Sequence, residues 1–275
     1  FIFRGPLPDH ELDPDSWQTH WGTSLVSDWD IIYGIVNFEK ETPSSTSSSN
    51  FSSNGYAHSK TRFWPKTKEP PQDVYPIGRL NIQDLIEAAR QIIETDPLVN
   101  KSLVAIWGWG KGGFIALQTL ARLPLSLVGC GIAVAPVTSW VDFNAFEAES
   151  YWGTLGSNTR TIYKDMSLEP LAAQFRTKEL YLLHGTMDAT VPLEQTMLFS
   201  KQLIANHAFF HQQIYAGEDH DMRGVRNHLF RSMETFLEDY CNFKRRSPFG
   251  GSSHRKKSWN ANPATKFEGF ENSRR

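Results

Sequence analysis

The sequence predicts an α/β fold: a mostly parallel, doubly wound sheet covered by helices on both faces, in one large domain over residues 1–243. Strand-like apolar runs alternate along the chain with stretches of helical period, the order that produces parallel sheets. Two of the runs, Leu103–Trp107 and Cys130–Ala135, lack the polar alternation of a half-exposed strand, as strands buried on both faces do. The 275 residues are 40% hydrophobic and 13% aromatic, which supplies one sizeable core and excludes a chain disordered throughout.

Phe1-Ile2-Phe3 reads as a strand end, stopped by the turn Arg4-Gly5-Pro6. Trp17, Trp21 and Leu25 recur at helical spacing and predict a short helix before a strand at Ile31–Val36. From about residue 41 to 75 the pattern dissolves into Ser, Thr, Asn, Lys and Pro, and predicts a long mobile surface insertion. Order returns at Asn81, a candidate N-cap for a helix whose stripe is Ile82, Leu85, Ile86, Ala89, Ile92 and Ile93. A buried strand follows at Leu103–Trp107, then a glycine cluster over Gly108–Gly113, a helix over Phe114–Leu123 and the strand Cys130–Ala135. A helix-like stretch at Leu168–Phe175 leads to the strand Leu180–Leu183. The amphipathic segment Leu193–Ile204, a strand at Phe209–Tyr215 and a last helix at Leu229–Tyr240 complete the domain.

The net charge of −2 offers no global field to recruit nucleic acid. That sum hides a basic tail, residues 244–275, with nine Lys or Arg against Glu268 and Glu271. It has no period and is predicted disordered, with contact to acidic lipid or an acidic partner as the alternative. No run approaches the ~18 apolar residues that span a bilayer. The chain opens on an apolar strand end without Met, which leaves room for a targeting or anchoring segment upstream. Cys130 and Cys241 are the two cysteines, and on residues alone buried thiols and a disulfide both stay open.

The chemistry concentrates in Ala105-Ile-Trp-Gly-Trp-Gly-Lys-Gly-Gly-Phe114, between a strand and a helix. Gly108, Gly110 and Gly113 match the dinucleotide fingerprint, but that motif needs an acidic residue at the end of the next strand. The next strand ends Val134-Ala135-Pro136, so no nucleotide cofactor is predicted. The second fit is the nucleophile elbow G-x-S-x-G, a sharp turn that lifts a serine above the sheet. Gly108 and Gly112 flank it, and Gly110 stands where the serine belongs.

An elbow requires an acid and then a histidine in loops after later strands. Leu180–Leu183 runs into Asp188, and the strand ending at Tyr215 runs into His220. Order and strand-end placement together point to the remnant of a triad on an α/β-hydrolase fold. Glu218, Asp219, His220 and Asp221 also read as a weak metal cluster, but no second ligand group stands at recognisable spacing and no metal is expected.

Cys130-Gly-Ile-Ala-Val-Ala-Pro-Val137, Leu183-His-Gly-Thr186, Glu218-Asp219-His220, Ile86-Glu-Ala-Ala-Arg90 and the broken elbow resemble the dipeptidyl peptidase IV family, over the chain from Phe1 to about Phe243. That resemblance implies a peptidase-like domain in which Asp188 and His220 are triad acid and base. It implies that Gly110-Lys111 replaces the family's Ser-Tyr pair and that Phe3 replaces an oxyanion tyrosine. Of the specificity-pocket positions, Trp140 and Tyr151 match, whereas Phe143 and Glu147 replace tyrosines. It further implies a Cys130–Cys241 disulfide, an oxidising compartment to which the sequons at Asn50 and Asn100 also fit, and a type II membrane protein whose anchor and propeller precede this domain. A homodimer is implied too.

Without the serine there is no hydroxyl for His220 to deprotonate and no acyl-enzyme. Phe3 removes an oxyanion donor as well, worth roughly 10²–10³ in rate. The expectation is therefore a pseudoenzyme acting as an interaction or auxiliary subunit, as the family's inactive members do for potassium channels. The alternatives are residual hydrolysis through Asp188 and His220, and a peptide-binding module with Trp140 and Tyr151 as cleft walls.

Overall fold

The structure is a computed structural model that describes residues 2–4, 21–29, 31–35 and 82–245. Its strands are β1 (Ile2–Arg4), β2 (Tyr33–Ile35), β3 (Ala105–Trp109), β4 (Cys130–Val134), β5 (Glu179–Gly185) and β6 (His211–Tyr215). The helices are α1 (Trp21–Trp29), α2 (Ile82–Thr95), α3 (Lys111–Arg122), α4 (Ala145–Trp152), α5 (Arg160–Asp165), α6 (Leu193–Ala205) and α7 (Arg226–Asp239), with a 3₁₀ helix at Glu169–Thr177. The strands form one sheet in the order β2-β1-β3-β4-β5-β6, and every pairing is parallel. Parallel neighbours cannot be joined by a hairpin, so the chain crosses over between them, mostly through helices.

Two apolar clusters are built on alternate residues of the same strands. Ile106, Ala133, Leu180 and Leu182 pack with Ile86, Ala89 and Ile93 of α2, Phe114, Leu117 and Leu120 of α3, and Phe199 and Leu203 of α6. Ala105, Trp107, Ile132, Val134, Tyr181 and Leu183 pack with Trp21, Leu25 and Trp29 of α1 and with Leu229, Met233, Phe236 and Leu237 of α7. The unbroken apolar runs thus reflect two buried faces. Cys130 belongs to the second cluster and forms a disulfide with Cys241, just past α7, across a Cα–Cα distance of 5.8 Å.

Strand order reverses at β1, which lies between β2 and β3. A crevice opens beyond the carboxyl ends of strands at such a switch point, and the glycine turn leaves β3 there.

Some sequence expectations shift. The strand expected at 31–36 is observed at Tyr33–Ile35, and that expected from Phe209 begins at His211. The helix-like stretch at Leu168–Phe175 is a 3₁₀ helix from Glu169, with Pro170 at its start. Helices α4 and α5 had no readable period. The first forms because Asn144 Oδ1 accepts from Phe146 N at 3.0 Å. Trp152 and Tyr163 then bury against the core, and Tyr163 donates to the Gly153 carbonyl at 2.8 Å. The insertion at 41–75, Trp17, Asn81 and the tail beyond residue 245 lie outside the described residues.

Candidate active site

Gly110 joins β3 to α3 with φ 55° and ψ −117°. This is a region that a residue with a side chain enters only under strain. Its N–H donates to the Val134 carbonyl at 2.9 Å, and its carbonyl accepts from Phe114 N at 3.1 Å and Val137 N at 3.2 Å. The turn is therefore fixed between β4 and the first turn of α3. Gly108 is obligatory for a different reason. A Cβ there would stand 2.0 Å from the Gly112 carbonyl oxygen, inside the van der Waals envelope of the backbone. At Gly110 a Cβ would meet the His220 ring, 3.1 Å from Nε2 and 3.3 Å from Cε1. A side chain at this position would therefore point at the imidazole.

Asp188 follows β5, and its carboxylate is almost fully bonded. Oδ1 accepts from Thr190 N at 2.9 Å and Val191 N at 2.8 Å. Oδ2 pairs with His220 Nδ1 at 2.7 Å and lies 3.3 Å from His184 Nε2. Burial by itself would raise this carboxyl. The hydrogen bonds from His184, His220 and the Val191 N–H outweigh it and hold the group well below the usual carboxylate range. An ionised Oδ2 requires the proton on His220 Nδ1, which leaves the Nε2 lone pair facing Gly110. The loop is steadied further by Trp109, whose Nε1–H donates to the His220 carbonyl at 3.0 Å.

Sequence reasoning missed His184 as a member of this site. It is fully buried, with Nδ1 2.7 Å from Thr196 Oγ1 and Nε2 2.9 Å from the Val191 carbonyl. Nε2 faces only acceptors, so it is the protonated nitrogen. The available signal was a histidine ending an apolar strand four residues before the acid. Gln195 was missed as well. It is buried and its Oε1 accepts from Thr138 N and Ser139 N, both at 2.8 Å. Its Nε2 donates to the Ser139 and Asp142 carbonyls at 3.0 Å, so α6 holds the loop after β4 in place.

Lys111, the first residue of α3, sends Nζ to Glu147 Oε2 on α4 at 2.8 Å and lies 5.5 Å from the Tyr151 ring centroid. Burial would lower this ammonium, but the bond to Glu147 and the negative environment of Glu147 and Tyr151 raise it instead. Trp140 is not an open wall. It is 1% exposed and sits amid Phe114, Phe143, Tyr151 and Trp152 at ring distances of 5.3 to 5.6 Å. A peptide could meet it only after something above it moved. Phe143 is buried and Tyr151 is half-buried. Phe3 contributes backbone pairing between Gly34 and Ile106, and its side chain lies outside the described residues. Asn100 is in an exposed turn, its Oδ1 accepting from Ser102 N at 3.0 Å, and Asn50 lies outside the described residues. Among the described residues no three metal-ligating side chains cluster.

Elbow, acid and histidine thus converge at the carboxyl edge of one parallel sheet. The sequence profile of the prolyl oligopeptidase family matches residues 76–244. The chain belongs to that family. Among curated relatives of this prolyl oligopeptidase-family domain, venom dipeptidyl peptidase 4 of Apis mellifera is 34% identical over 161 residues, covering 58% of this chain and 21% of that protein. The prolyl endopeptidase FAP of Homo sapiens is 33% identical over 165 residues, with coverages of 59% and 21%. The crystal structure of Porphyromonas gingivalis dipeptidyl peptidase 4 superposes with a TM-score of 0.53 at 32% identity, over 57% of this chain and 22% of that one. An acylaminoacyl peptidase at 19% identity and TM-score 0.50 shares the fold. The domain is an α/β-hydrolase of dipeptidyl peptidase IV type, and the chain spans about a fifth of the length of the curated relatives it matches.

Proposed function

We propose that this chain is the peptidase-like domain of a protein that does not hydrolyse peptides and acts instead as an interaction or auxiliary subunit. The observation that carries this is Gly110 at the elbow, with the Nε2 face of His220 turned toward a residue that has no hydroxyl. Removing the triad serine of a well-studied protease costs about 10⁶ in turnover. Phe3 supports the reading, because it offers no O–H where the family resemblance puts an oxyanion tyrosine. The test is hydrolysis of a chromogenic Gly-Pro substrate, the proline being taken from the relatives' names, by the purified full-length protein. Silence is expected, and a rate that co-purifies with the protein through every step would overturn the proposal.

The Cys130–Cys241 disulfide supports an extracellular setting, since disulfides persist in oxidising compartments. The sequons at Asn50 and Asn100 support it too. A membrane-anchored protein, a homodimer and a membrane-protein partner extend the same reading. Crosslinking at the surface of expressing cells tests those three together.

A second reading is favoured by one feature. Asp188 and His220 keep a 2.7 Å pair that a site without any use for it need not retain. In that reading His220 activates a water for slow hydrolysis. His220→Ala would then abolish whatever rate exists, and an unchanged rate excludes it.

A further inference from the structure

Asn100, Lys101 and Ser102 form part of the turn between α2 and β3. All three are exposed, while Val99 and Val104 on either side are buried and pin the turn to the domain. Leu103 N donates to the Asn100 carbonyl at 2.9 Å, so the backbone closes on itself. The Asn100 side chain uses only its oxygen: Oδ1 accepts from Ser102 N at 3.0 Å. Among the described residues Nδ2 of Asn100 has no acceptor, and the Ser102 hydroxyl has no partner.

We propose that Asn100 carries an N-linked glycan. The proposal rests on the reading of this chain as an extracellular domain and deepens it by naming the modified atom. Asn-Lys-Ser is an acceptor sequence for oligosaccharide transfer, with a hydroxyl residue in third place and no proline in second. In the transfer, C1 of the first sugar bonds to Nδ2 as its bond to the diphosphate of a lipid carrier breaks. Nδ2 gives up one proton, the lipid diphosphate leaves, and nothing is oxidised or reduced. The lipid-linked oligosaccharide is supplied by the secretory pathway. A sequon alone carries little, because a folded protein cannot hold a sugar on a buried asparagine or on one whose amide nitrogen is engaged. The fold removes both obstacles here. Asn100 is exposed, and Oδ1 remains a carbonyl oxygen after attachment, so its bond from Ser102 N survives. The strands are all parallel, so the turn before β3 lies at the amino edge of the sheet and Gly110, after β3, at the opposite edge. A glycan is bulky and hydrophilic. On Asn100 it holds the amino edge in solvent and stands away from Gly110, Asp188 and His220.

The experiment expresses the full-length protein in cultured animal cells and recovers it from the cell surface and the medium. A glycan-releasing amidase then acts in water enriched in heavy oxygen, which turns a glycosylated asparagine into a labelled aspartate. Mass spectrometry of the peptide that contains residue 100 should show that label. Asn100→Gln and Ser102→Ala should each lose one glycan step in gel mobility, whereas Ser102→Thr should keep it. Ser102→Ala retains Asn100 and the backbone N–H that it accepts from, so its loss of the glycan does not come from loss of the turn. Unmodified asparagine at position 100 in protein recovered outside the cell would overturn the proposal and leave the extracellular reading standing. Protein confined to the cytosol, with Cys130 and Cys241 reduced, would overturn both.

Discussion

The Nε2 edge of His220 stands 3.1 Å from where a Cβ on Gly110 would be, and among the described residues outside the turn no other side chain comes within 4 Å of that point. The turn at Gly110 carries no side chain on the side that faces His220. A Cβ at 110 needs the imidazole to give by only a few tenths of an ångström.

Gly110→Ser should therefore fold. At φ 55° the new side chain costs about 1–2 kcal/mol of strain, read as a lower urea midpoint at unchanged slope. Its Oγ should come within reach of His220, so a small fluorophosphonate should label the variant and not the wild type. Loss of labelling on adding His220→Ala would identify the imidazole as the activating base.

Asp188 should make stability depend on acid. Its folded carboxyl titrates below its unfolded value of about 3.9. The stabilisation is therefore fully present above that pH and is lost as pH falls through the lower folded value. His184 and His220 face the same oxygen, at 3.3 and 2.7 Å. Asp188→Asn should cost about 2–3 kcal/mol at neutral pH, the scale of hydrogen bonds to a charged group. Urea titrations between pH 2 and 7 should show a flatter acid limb for the variant; parallel limbs would contradict this.

Reduction of Cys130–Cys241 should destabilise the domain strongly. The bridge closes a separation of 111 residues, for which the chain-entropy account gives up to about 4–5 kcal/mol. Cys130→Ser/Cys241→Ser should lower the thermal midpoint, and added reductant should lower the wild type toward the same value without changing the variant.

Gln195→Leu should remove the clasp between α6 and the loop after β4. Buried Thr138 N and part-buried Ser139 N lose their acceptor, at about 1–3 kcal/mol for the buried group and less for the other. Hydrogen exchange should accelerate at Thr138 and Ser139 while the amides of β3 stay protected.

Several of these features could be read before any fold was known. The buried strands Leu103–Trp107 and Cys130–Ala135 were legible because a strand covered on both faces has no polar alternation to confuse it. The pairing of Asp188 with His220 was legible from their order and their places after strands. Helices α4 and α5 were not, since eight and six residues are too short to display a period. They are held by the Asn144 cap and by burial of Trp152 and Tyr163.

By itself the sequence determined that no hydroxyl stands at position 110, because covalent identity does not depend on folding. It also determined which glycines could make the turn and which acid and histidine could serve it. Only the tertiary structure decided that His184 shares Asp188, that Gln195 clamps the Trp140 loop, and that Lys111 answers Glu147. The last two are contacts between residues on different elements, and the first depends on how the loop after β5 turns back; each rests on a distance of a few ångströms that spacing along the chain does not fix.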